Sequence, residues 1–109
     1  FLRCRGVSDV TICKGTMMLE KEIESAVKRY AESKGWITRK WTSPNHAFVP
    51  DQIFISPTGK VMFIEFKRSG QKPTAGQERE HHRLRGNNAL VFVVDSVEGG
   101  KRVVDENCI

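Results

Sequence analysis

Apolar residues recur at helical spacing early in the chain. Leu19, Ile23, Ala26, Val27, Tyr30 and Ala31 fall three and four residues apart, which predicts a helix over residues 19–34 with one apolar stripe. Gly35 follows, a residue type that ends helices. The period then shortens to two. In W-I-T-R-K-W, residues 36–41, Trp36, Thr38 and Lys40 face one way and Ile37, Arg39 and Trp41 the other, as in a strand. The tryptophans read as packing residues rather than base-stacking platforms. A polar loop over 42–49 includes Ser43, Asn45 and His46, which are placed to touch phosphate. Residues 52–56 and 61–66 read as a hairpin, with turn chemistry at Pro57-Thr58-Gly59. A helix over 75–85 starts from Thr74, with Gln77 completing a capping box, and stops at Gly86. Within it His82 is expected to pack and His81 to face solvent. The apolar run A-L-V-F-V-V, residues 89–94, predicts a buried central strand. Residues 96–109 read as a polar tail with a short strand at 102–104.

The predicted order is α-β-β-β-α-β. The strand at 61–66, the helix after it and the strand at 89–94 form a β-α-β unit, expected to be parallel and right-handed. The fold class is therefore α/β, a small mixed sheet flanked by helices. Residues 17–109 are expected to form one domain. Met17-Met18 reads as a natural start, so residues 1–16 read as an extension, with loose alternation over 7–12.

Charges break the hairpin's apolar pattern at one end. Asp51 follows Pro50 at the start of the first strand, and Glu65 and Lys67 close the second. Residues two apart share a face of a strand, so Glu65 and Lys67 project together. If Thr58 and Gly59 are the central turn residues, Asp51 faces Phe66. A loop one residue different sets Asp51 opposite Glu65. In both registers the carboxylates are direct or diagonal neighbours. Exposed Glu and Lys on an edge strand would be unremarkable. Here both faces of the strand are apolar up to Glu65, which predicts an inner strand and a site at its buried end. Two adjacent carboxylates repel unless a cation lies between them. Lys67 fills that role in part, and Mg²⁺ or Mn²⁺, which favour hard oxygen ligands, fill it better.

The whole chain carries +5. Residues 67–85 hold six Lys and Arg against two Glu, a local +4. Such a surface favours a polyanion, with nucleic acid the default. No apolar run approaches a membrane span, and no signal peptide is evident. Cys4, Cys13 and Cys108 are too few and scattered for a disulfide framework or a zinc site. Reduced thiols and a cytoplasmic location are the simple reading.

The residues P-D at 50–51 and E-F-K at 65–67 match the P-D…(D/E)-x-K pattern of a nuclease superfamily. The wider stretch F-I-E-F-K-R-S-G-Q-K-P-T-A-G-Q-E-R-E-H-H-R-L-R, residues 63–85, resembles the VRR-Nuc family, virus-type replication-repair nucleases that are often stand-alone phage proteins. The resemblance covers about residues 18 to 97. It implies a restriction-endonuclease-like core. It places Gln77 as the glutamine near the start of the helix that follows the lysine. It also implies an acidic residue early in the first helix that joins the metal site: Glu20 by its spacing to Ile23, with Glu24 as fallback. The implied activity is Mg²⁺- or Mn²⁺-dependent hydrolysis of DNA phosphodiester bonds, with branched or junction DNA as substrate and a homodimer as the working unit. Asp51, Glu65, Glu20 and the backbone carbonyl of Phe66 would hold the ion. Lys67 would position water and offset charge, and Gln77 would orient Lys67 or that water. Arg68, Lys72, Arg79 and Arg83 would grip the nucleic-acid backbone. A non-catalytic nucleic-acid-binding module, or a restriction or RNA-processing enzyme on the same core, are the competing readings.

Overall fold

The structure is a computed structural model that describes residues 18–108. The proposed extension, its possible strand over residues 7–12, and Cys4 and Cys13 lie outside the described residues. The elements are α1 (Glu20–Ser33), β1 (Ile37–Lys40), β2 (Gln52–Ile55), β3 (Val61–Phe66), α2 (Ala75–Gly86), β4 (Leu90–Val94) and α3 (Val97–Glu106). The strands form one sheet in the order β1-β2-β3-β4. The first two pairings are antiparallel, and β3 with β4 is parallel. A small mixed sheet flanked by helices is thus the observed architecture.

Ile23, Val27 and Ala31, each four residues from the next, are fully buried along α1. Leu19 is the N-cap and is exposed; its N–H donates to Glu22 Oε1 (3.0 Å). The stripe packs on Phe54, Met62, Ile64 and Phe66, which point to one face of the sheet. Burying Ile23 and Val27 contributes about 1.5–3 kcal/mol each. Trp36 meets Phe54 edge-on at 6.3 Å, so it is a core residue, as expected. Gly35 takes φ +90°, a conformation that favours glycine, and turns the chain from α1 into β1.

The hairpin resolves the open question of register. Gln52 pairs with Ile64 and Ile55 with Val61, which leaves a three-residue loop, Pro57-Thr58-Gly59. Ser56 closes it: its N–H donates to the Lys60 carbonyl and its Oγ accepts from the Lys60 N–H, both at 2.9 Å. Continuing the pairing sets Asp51 opposite Glu65 rather than Phe66.

Two expectations from the sequence are corrected. The strand over 90–94 is at the edge of the sheet, with Leu90 and Val93 exposed. A short apolar run does not distinguish an edge strand from a central one, because it does not show where a partner strand is lacking. The supposed polar tail is the helix α3. Ser96 caps it, accepting from the Gly99 N–H (2.9 Å), and Val97, Gly100 and Val104 supply the face that meets α1 and the core. Gly99 and Gly100 lower helix propensity, and packing overrides it. A Cβ on Gly100 would lie 2.4 Å from Val27 Cγ2, so glycine there lets the two helices approach.

Candidate metal and nuclease site

β3 alternates sharply. Met62, Ile64 and Phe66 enter the core, while Glu65 and Lys67 project from the other face, where α2 covers them. Glu65 is 2% exposed and Lys67 is 8% exposed. The Lys67 ammonium is 3.7 Å from Glu65 Oε2. Asp51 comes in across the hairpin, and its Oδ2 accepts from the Phe66 N–H (3.4 Å). The loop after β3 ties the site to α1. Ser69 exchanges hydrogen bonds with the backbone of Met18, which sets the start of the helix beside the strand ends.

From that helix both early glutamates reach the site. One carboxylate oxygen each from Glu20, Glu24 and Asp51 lie within 4.8 Å of one another. The sequence offered Glu20 with Glu24 in reserve; the fold brings both. Glu24 also accepts from Gln52 Nε2 (3.1 Å). Three carboxylates therefore cluster beside Glu65, and Glu65 is the one paired with the Lys67 ammonium. Burial, reinforced by Asp51 and Glu20, pushes the Glu65 carboxyl up to about 8, against a smaller opposing pull from Lys67. Burial and the charges of Asp51 and Glu24 raise Glu20 as well. Such a cluster is short of positive charge. Its donors are all oxygen, the chemistry that suits Mg²⁺ or Mn²⁺ rather than zinc or copper.

α2 supplies the grip on Glu65. The Thr74 cap and the Gln77 box form as expected: Gln77 N–H donates to Thr74 Oγ1 (3.2 Å) and Thr74 N–H to Gln77 Oε1 (2.9 Å). The Gln77 amide then donates to Glu65 Oε2 (3.1 Å). Here it holds the carboxylate, where the sequence pointed to Lys67 or water. One turn on, His81 is 1% exposed, and His82 is exposed, the reverse of the expectation. His81 Nε2 lies 3.9 Å from Glu65 Oε1, and among the described residues neither atom has a hydrogen-bond partner. Burial, with Arg85 and Lys67 nearby, lowers its pKa and favours the neutral ring. The signal that finds it is spacing: His81 is four residues after Gln77 and so shares its face. The few apolar residues of this helix gave no phase of their own.

The basic residues proposed for the nucleic-acid backbone are exposed. Arg68 and Lys72 lie on the loop after β3, and Arg79 and Arg83 on α2. Arg83 donates to Glu80 (3.0 Å). The two arginines of α2 share a groove of about 300 Å³ with Asn45, His46 and Phe48 of the loop that leads to Asp51.

No family model matches this chain. It is 41% identical over 78 residues to "Putative nuclease p44" of Acyrthosiphon pisum secondary endosymbiont phage 1, covering 72% of this chain and 80% of that protein. Its fold matches a solved structure named "VRR_NUC domain" with a TM-score of 0.76 and 31% identity, over 81% of this chain and 96% of the other. A second, named "VRR_NUC domain protein", matches with a TM-score of 0.69 over 83% of this chain and 88% of the other; at 16% identity it speaks for the fold alone.

Proposed function

Because the chain belongs to the VRR-Nuc family of nucleases, we propose that it is a divalent-metal-dependent DNA endonuclease that uses Mg²⁺ or Mn²⁺. The observation that carries the reading is the meeting of Glu20, Glu24 and Asp51 within 4.8 Å, beside a buried Glu65 whose proton is held up to about 8. Asp51, Glu65, one or both of Glu20 and Glu24, and the Phe66 carbonyl would hold the ion. The chemistry that a divalent cation would supply there is Lewis acidity toward a phosphate oxygen and toward water. Lys67 offsets charge that develops on the phosphate oxygens and orients the attacking water. Gln77 holds Glu65 by a hydrogen bond and His81 closes over it from the same helix face, both acting through it and not on the phosphate. Arg68, Lys72, Arg79 and Arg83 contact phosphates, so affinity falls with salt and varies little with sequence.

The preferred substrate is branched DNA, such as a four-way junction, in phage replication or repair; the phage relative supports this setting. One site cuts one strand. Paired incisions need two copies, and a two-fold homodimer supplies them. No helix among the described residues is long and apolar enough to cross a membrane, and the host cytoplasm, where its DNA would be found, is the proposed location.

The test is incubation of end-labelled duplex, flap, four-way-junction and RNA substrates with Mg²⁺, Mn²⁺ or EDTA. Cleavage is expected with either metal, strongest on branched DNA, and none in EDTA. Asp51→Asn and Lys67→Ala should keep the fold by circular dichroism and lose cutting. Undiminished cutting in EDTA would refute the metal reading.

A further inference from the structure

The loop over residues 42–49 does more than connect β1 to β2. Phe48 is 47% exposed, though it is large and aromatic. Its ring is seated on α2: a Cβ built on Gly76 would lie 2.8 Å from Phe48 Cζ and 2.9 Å from two further ring atoms. Glycine at position 76 thus lets the ring lie against the helix backbone, which holds it without burying it. Beside it the groove of about 300 Å³ is lined by Asn45, His46, Arg79 and Arg83. Glu80, the one carboxylate among the lining residues, accepts from Arg83, so its charge is offset.

We propose that this groove takes an unpaired nucleotide of the substrate, with its base stacked on Phe48 and its phosphates on Arg79 and Arg83. An exposed aromatic ring beside cationic side chains is the combination that binds single strands without reading sequence. The chain links both walls of the groove to the carboxylate site within a few residues. Phe48 is three residues before Asp51, and Gly76 precedes Gln77, which holds Glu65. Three residues of chain span at most about 10 Å, the length of about three stacked nucleotides at about 3.4 Å each. That span puts the groove within reach of a strand that lies across the carboxylates. Fully paired DNA offers its phosphates to the arginines but no free base to the ring. The groove therefore favours strands that are frayed, flapped or parted at a branch point. The proposal rests on the nuclease reading for its substrate class and names the feature of the substrate that this face recognises.

The experiment measures binding in EDTA, without cleavage, so a protein that cut nothing would still answer it. Full-length chain is titrated into a labelled single strand, the matching duplex, and a duplex with one flapped arm. The single strand and the flap carry 2-aminopurine, whose fluorescence drops on stacking. Phe48→Ala should weaken binding of single strand and flap by about 5- to 150-fold, the loss of one stacked base, and abolish the fluorescence change. Duplex binding should move by less than about twofold. Phe48→Tyr should restore both. Gly76→Ala, which displaces the ring, should repeat the loss while leaving Phe48 in the chain. An RNA strand run alongside tells which backbone the groove takes, and a Phe48-dependent loss on either sustains the proposal. An equal loss on duplex and single strand, or none on either, overturns it.

Discussion

Glu65 is the side chain on which the site depends, and its burial has a consequence for pH. Without a cation its carboxyl titrates near 8 instead of the ordinary 4.5, chiefly because it is desolvated and also because Asp51 and Glu20 are close. Below 4.5 the folded and unfolded chains both carry the proton, and Glu65 costs nothing. Between 4.5 and about 8 the folded chain holds a proton that the unfolded chain has released. Stability of the metal-free protein therefore falls as pH rises through that window, by up to about 1.4 kcal/mol per pH unit, and levels off above it. Thermal melts in EDTA from pH 5 to 9 should show the slope, and Glu65→Gln should flatten it. Saturating Mg²⁺ should raise the melting temperature most at the alkaline end, because it binds the ionised, folded site. Gln77 donates to Glu65 and His81 faces it at 3.9 Å, so under the proposed function both would act through that carboxylate. Gln77→Ala and His81→Ala are expected to lower metal affinity and kcat about 10- to 100-fold, with KM for DNA little changed. His81→Gln, whose amide keeps a polar group facing Glu65, should recover part of the loss. An effect of His81→Ala on KM alone would contradict the role.

Among the elements, α3 is the one whose sequence most disguises it. Two adjacent glycines and three β-branched valines in ten residues make a poor helix on propensity, yet the first turn is capped by Ser96 and Tyr30 Oη donates to Asp105 across the helix pair (2.7 Å). Gly100 sits at the crossing with α1. Gly100→Ala puts a methyl group against Val27 and should destabilise the fold by about 1–3 kcal/mol. Gly86→Ala is the contrast. Nothing lies within 4 Å of its would-be Cβ, and reduced freedom of the unfolded chain should raise stability by about 0.4–1 kcal/mol. Urea unfolding of the two variants checks both signs. The α2 helix shows a different difficulty. Its cap and end were readable from Thr74, Gln77 and Gly86, but its rotation was not. The apolar stripe that would set it is missing, and the buried residue on its inner face is a histidine that points at a carboxylate.

At the level of the molecule, the charge and the sheet work together. The sheet sets Asp51 and Glu65 opposite each other, α1 delivers Glu20 and Glu24, and α2 turns Gln77 and His81 inward while its arginines face solvent. A DNA strand held by those arginines should show affinity that falls steeply with salt. Arg79→Gln should reduce the slope of log affinity against log salt by about 0.9 on duplex DNA and weaken all sequences alike, as read by anisotropy titrations from 50 to 300 mM salt. Local pattern was enough for six of the seven elements among the described residues, for the family resemblance, and for the closeness of Asp51, Glu65, Lys67 and Gln77, because alternation, turn chemistry and motif spacing act over a few neighbouring residues. It was not enough for the edge position of β4, the hairpin register, the inward turn of His81, the arrival of Glu24 as well as Glu20 at Asp51, or the seat of Phe48 on Gly76. Each of those depends on atoms far apart in the chain that meet only when α1, α2 and the loop before Asp51 pack against one sheet, where excluded volume and desolvation choose among arrangements that short-range preference leaves equal.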